Sequence, residues 1–147
     1  MSWFASEHER VTGELQSLHA EYRRLARQLE SYAAVAPYPH IGERLQEILQ
    51  DEDRNARVVS ERLTALGRHL REEEVGEIRG GRNSWERLVF LLEDHRSLLR
   101  RLSALWVRWD DEYPEDAALV RGLRDSAVEH RELIVDLVAR SDPHAID

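Results

Sequence analysis

Glu52, His95 and His130 each interrupt an otherwise apolar helical row at a place where a leucine belongs. A carboxylate and imidazoles held at inward positions are the donor types that bind Zn, Fe(II) or Mn. His19, on the shoulder of the first helix's stripe, adds a third imidazole. Tyr22 and Asn55 lie one helical turn from His19 and Glu52, where they can hydrogen-bond to ligands from behind. The candidate metal set is therefore Glu52, His95, His130 and His19, with Asn55 and Tyr22 in support. It would hold one Fe, Zn or Mn ion, and an open position on that ion would bind oxygen or peroxide or act as a Lewis acid. The competing reading has no ion. Glu52 then accepts hydrogen bonds from the two histidines, and Asn55 and Tyr22 complete a closed polar network. The chain has no glycine-rich phosphate loop and no Ser or Thr beside a base in a nucleophile setting, so no reaction is assigned.

Four helices must position these groups. The first runs from about 3 to 34, with the stripe Phe4, Val11, Leu15, Leu18, Tyr22, Leu25, Leu29 and Tyr32. Ala36-Pro37-Tyr38-Pro39 stops it. The second runs from about 40 to 70, with Leu45, Leu49, Ala56, Val59, Leu63, Leu66 and Leu70 in its row and Glu52 among them. A loop over 71–83 carries Glu72-Glu73-Glu74 and three glycines. Ser84 then stands as the cap of a third helix, about 84 to 110. Its row is Trp85, Leu88, Leu92, His95, Leu99, Leu102, Trp106 and Trp109. The fourth runs from about 115 to 140, with Val120, Leu123, Ala127, His130, Ile134 and Leu137 inward. His8, His40, His69 and His144 fall near helix ends or in the tail, where solvation explains them.

Helix rise tests whether the inward polar groups share one level. Ile41 to Glu52 and Ser84 to His95 are both ~16 Å along the axis, so the two levels coincide if the second and third helices run parallel. His95 to Asp110 and Glu115 to His130 are both ~22 Å, as an antiparallel turn requires. The loop over 71–83 reaches ~43 Å when nearly extended, enough to run the length of the bundle. This predicts an all-α four-helix bundle with one long crossover between helices 2 and 3.

Composition agrees. The chain has 147 residues, 41% hydrophobic and 34% charged, enough for one domain spanning 1–147. No apolar run reaches the ~20 residues of a membrane span. The start has no signal-peptide pattern and there is no cysteine, so a cytoplasmic protein without disulfides is expected. The net charge of −8 argues against nucleic acid as a partner.

The stretch Ile48–Ala56, continuing through Glu61 to Gly67, resembles the second helix of the ferritin-like superfamily, of the rubrerythrin and mini-ferritin kind. There a Glu-x-x-His pair is followed by Ala, and the helix often closes near a Gly. The resemblance implies a carboxylate bundle holding two irons. Glu52 takes the family's Glu, while Asn55 stands in place of its His. His130 matches the His of the second Glu-x-x-His, and Ala127 replaces that Glu. His19 or Tyr22 on the first helix and His95 on the third fall near positions where a Glu is expected; Glu93 lies on another face. Two functions follow as expectations. One is a metal-binding bundle of iron or oxidative-stress handling. The other is a non-catalytic helical module, without the di-iron site, that acts by oligomerisation or partner binding. A homo-oligomer is expected in both.

Overall fold

A computed structural model describes residues 3–71 and 76–147, with side chains from Glu7 onward. The acidic run Glu72-Glu73-Glu74 and the side chain of Phe4 lie outside the described residues. Among the described residues there are four helices: α1 (Trp3–Ala34), α2 (Pro39–Ala65), α3 (Ser84–Trp109) and α4 (Pro114–Ala139). They form a four-helix bundle in which α2 connects to α3 through one long crossover.

Each helix buries a seam in steps of three and four residues, the spacing that keeps one narrow face inward. On α1 the seam is Val11, Leu15, Leu18, Tyr22, Leu25, Leu29 and Tyr32. On α2 it is Ile41, Leu45, Ile48, Glu52, Ala56, Val59 and Leu63. On α3 it is Ser84, Leu88, Leu91, His95, Leu98, Leu102, Leu105 and Trp109, and on α4 Asp116, Val120, Leu123, Ala127, His130, Ile134 and Leu137. Burying each Leu or Ile side chain contributes roughly 1.5–3 kcal/mol, so these seams dominate the stability.

The seams correct the expected rows in two places. On α2, Ile48 takes the inward seat and Leu49 is half-buried. On α3, Ser84, Leu98 and Leu105 take the seats expected for Trp85, Leu99 and Trp106, and Leu91 is buried beside Leu92. Both alternatives have leucines at helical spacing, so pattern alone does not choose between them. The displaced Trp106 is half-buried, with the Arg121 and Arg124 guanidinium groups 5.4 and 5.5 Å from its ring.

The helix ends follow local chemistry. α2 stops at Ala65, short of the expected Leu70. Gly67 adopts φ +78°, the Arg68 N–H donates to the Leu63 carbonyl at 2.9 Å, and the Gly67 N–H donates to that of Thr64 at 3.0 Å. That pair of bonds is a Schellman stop, which needs a left-handed residue that glycine supplies without strain. Leu70, beyond it, is exposed. The cap of α3 is Asn83 rather than Ser84. Its side-chain oxygen accepts from the Glu86 N–H at 2.9 Å, and its amide donates to the carbonyls of Pro143 and Ala145 in the tail.

Two compact units are distinguished, Met1–Ser31 with Gln46–Ile78 and Tyr32–Leu45 with Arg79–Asp147. In the first, α1 and α2 run antiparallel. Arg23 lies 4.0 Å from Asp53, and Gly13 and Leu63 line the same open cleft. In the second, α3 and α4 run antiparallel, with Arg124 donating to Ser103 at 3.2 Å and Arg121 facing Trp106. The crossover is tied down within this unit by Arg79. Its guanidinium donates to Glu93 at 2.9 Å, Asp94 at 3.0 Å and the Phe90 carbonyl at 2.9 Å, and lies 4.3 Å from the centre of the Phe90 ring. The Tyr32 hydroxyl donates to the Arg79 carbonyl. Partial burial works against the Arg79 charge. The hydrogen bond to Glu93 and the charge and hydrogen bond of Asp94 outweigh it and hold the group above the usual arginine value.

Candidate metal centre

Near mid-length every seam exchanges an apolar residue for a polar one: Tyr22 on α1, Glu52 on α2, His95 on α3 and His130 on α4. Their relative exposures are 0, 1, 0 and 1%. The periodicity of each helix forces this burial. Glu52 is one seam step from Ile48 and Ala56, His95 from Leu91 and Leu98, and His130 from Ala127 and Ile134. Turning any of them to solvent would expose its apolar neighbours.

Glu52, His95 and His130 each offer one ligand atom, and the three atoms lie within 4.8 Å of one another. The imidazole rings of His95 and His130 meet edge to face, with centroids 5.8 Å apart and an interplanar angle of 83°. An ion ~2.1 Å from each donor sets neighbouring donors roughly 3–4 Å apart.

Two neighbours fix the orientation of these ligands. His95 Nδ1 lies 2.8 Å from the Leu91 carbonyl oxygen. A carbonyl only accepts, so Nδ1 carries a hydrogen, and in the neutral ring Nε2 carries the lone pair. That is the hydrogen bond by which a protein usually holds a ligating histidine. On α2 the Asn55 amide donates to Glu52 Oε1 at 3.2 Å. Asn55 is half-buried, one turn along from the carboxylate.

Of the six residues singled out from the sequence, three come together as potential ligands and one supports them by a hydrogen bond. Tyr22 holds the corresponding seat of the α1 seam. His19 is half-buried on the shoulder of α1. Among the described residues, the group of potential ligands does not extend to it. The stripe marks the reason: His19 is one residue past Leu18, outside the three-four spacing. His8, His40, His69 and His144 are exposed, as expected. Elsewhere, an open cleft of about 660 Å³ is lined by Glu9, Gln16, Arg68, His69 and Arg71 among others, groups of mixed charge on the surface.

The donors present do not fit two irons. A di-iron centre in a four-helix bundle draws about four carboxylates from the helices. Here the buried group supplies one carboxylate, with Asn55 and Ala127 at the two positions that depart from the paired motif. The set fits a single divalent ion.

No protein-family model matches the chain, and no curated protein matches it. Solved structures do. Dps from Thermosynechococcus elongatus is similar with a TM-score of 0.85 and 13% identity, over 98% of this chain and 99% of that one. Mycobacterium tuberculosis bacterioferritin gives 0.83 and 16%, over 89% and 85%. The dodecameric thioferritin of Bacteroides fragilis, a bacterioferritin-related protein, gives 0.83 and 12%, over 90% and 86%. The chain has the ferritin-like four-helix-bundle fold. Among the described residues, no helix is long and apolar enough to cross a membrane.

Proposed function

We propose that this protein is a ferritin-like metal-binding protein that holds one divalent transition-metal ion through Glu52, His95 and His130. The observation that supports this reading is the gathering of one carboxylate and two imidazoles, each at most 1% exposed, with ligand atoms within 4.8 Å. A divalent ion would be held by the acid and both imidazoles at once. Fe(II), Zn(II) and Mn(II) all accept this donor set. The bound ion would supply Lewis acidity or, if iron, a centre for oxygen or peroxide. The protein's part is to hold the donors in a dry, apolar layer. Its work is then iron or oxidative-stress handling in the cytoplasm, in a homo-oligomer, an arrangement that the dodecameric thioferritin illustrates for this fold.

Elemental analysis of protein purified without a histidine tag, before and after loading with Fe(II) or Zn(II), tests it. About one ion per chain, lost in a His95→Leu/His130→Leu variant, is the expected result. Uptake below about a tenth of an ion per chain would leave the bundle as a non-catalytic oligomerisation or partner-binding module.

A further inference from the structure

The α3/α4 pair, which lies within one compact unit, carries an outer face beside its buried seams. The two helices meet there where Arg124 donates to Ser103 and the Arg121 and Arg124 guanidinium groups lie against Trp106. These contacts set the antiparallel register, with 103 across from 124 and 106 across from 121. One turn at a time along both helices, Leu99 stands across from Val128, Arg96 from Arg131 and Leu92 from Val135. Apolar residues therefore recur on α3 at 92, 99 and 106, ~10.5 Å apart, with arginines from either helix between them. Leu99, Trp106 and Val128 are half-buried, Val135 is 43% exposed and Val107, beside Trp106, is 78% exposed.

Charge on this face runs opposite to that of the chain. The chain has 29 acidic and 21 basic residues, yet of the five facing pairs four positions are arginine and none is Asp or Glu. Among the described residues, these arginines make one ion pair, Arg124 with Asp125 at 3.5 Å on the outer side of α4. A concave row that alternates apolar residues with cations selects its occupant by shape and by charge. A nucleic acid would leave the apolar positions unmet, and a bilayer surface does not enter the groove between two helices. A second copy docked about a two-fold axis centred on the groove would set arginines against arginines. A third helix fits, because its side-chain ridges pack between those of α3 and α4.

We propose that the outer groove between α3 and α4 docks an acidic amphipathic helix of another protein, with an apolar residue at every seventh position and carboxylates between. Its apolar residues meet Trp106, the Leu99/Val128 pair and the Leu92/Val135 pair, and its acids meet Arg124, Arg96 and Arg131. The probe is a fluorescein-labelled helical peptide of three heptads, with Leu at every seventh position, Glu three and four residues after each, and Ala or Gln elsewhere. Fluorescence anisotropy with the full chain is expected to saturate at one peptide per chain. Arg96→Glu/Arg131→Glu is expected to weaken binding by roughly tenfold or more, as reversed charges at an interface do. Circular dichroism verifies the fold, and Arg121→Glu, at an exposed position, repeats the test at the other end of the groove. A peptide with Leu replaced by Ser, of the same charge, is expected to lose binding. No binding of the parent peptide at about 100 μM overturns the proposal. Equal binding of the Ser peptide reduces it to charge alone and overturns it, as does single-stranded DNA of similar length that binds as tightly. A smaller assembly of Arg96→Glu/Arg131→Glu in sedimentation velocity, beside the parent chain, makes the occupant a second copy and overturns it too.

Discussion

At the scale of the residue, Glu52, His95 and His130 occupy leucine seats, and each seat lies in a seam of fixed spacing. Polar groups at such seats cost stability wherever they are left without a partner. Replacing a buried polar cluster by well-packed apolar residues is often neutral or stabilising, whereas removing one member strands the others. The double variant His95→Leu/His130→Leu is expected to melt no lower than the metal-free parent. Glu52→Leu alone, which leaves two imidazoles in an apolar layer without their acid, is expected to lose about 2–4 kcal/mol. Urea unfolding of the metal-free proteins measures both. These seats were legible in the sequence because a charge inside a three-four apolar row has no other simple explanation. The sequence also put Tyr22 in the stripe of α1 and His19 on its shoulder, and there the structure has them: Tyr22 buried, His19 half-buried and outside the group of potential ligands.

At the scale of the element, α4 was legible almost residue for residue because its flanking positions are largely polar. The α3 seam was not. Leucines at 88, 91, 92, 98, 99, 102 and 105 support two phases one residue apart, and packing against α4 selects the phase that leaves Trp106 between two arginines. The end of α2 was misread for a different reason. The apolar row continues through Leu66 and Leu70, but Gly67 offers a left-handed stop that the row does not encode. A Cβ at Gly67 would meet nothing within 4 Å, so the cost of adding one is purely conformational. Gly67→Ala is expected to destabilise the protein by about 1 kcal/mol through its positive φ alone. Thermal unfolding checks this, and Gly13→Ala, a mid-helix glycine with the same free space, serves as the opposite control.

At the scale of the whole molecule, the long crossover between α2 and α3 was predicted from helix rise alone, and its anchor was not. Nothing in a one-dimensional pattern marks Arg79 out from 20 other arginines. The structure does so by giving its guanidinium two carboxylates, a carbonyl and an aromatic face at once. The Arg79 side chain is 39% exposed, so solvent screening limits its ion pairs. Together with the ring contact they stabilise the crossover by about 1–2 kcal/mol. Arg79→Ala is expected to speed amide exchange over 76–82 while the seams of α3 and α4 keep their protection, read by hydrogen-exchange mass spectrometry. The crossover also orders events in time. The antiparallel pairs α1/α2 and α3/α4 close through short, local turns, whereas joining them requires the chain to cover a distance that costs loop entropy. The crossover is therefore the last segment expected to settle during refolding.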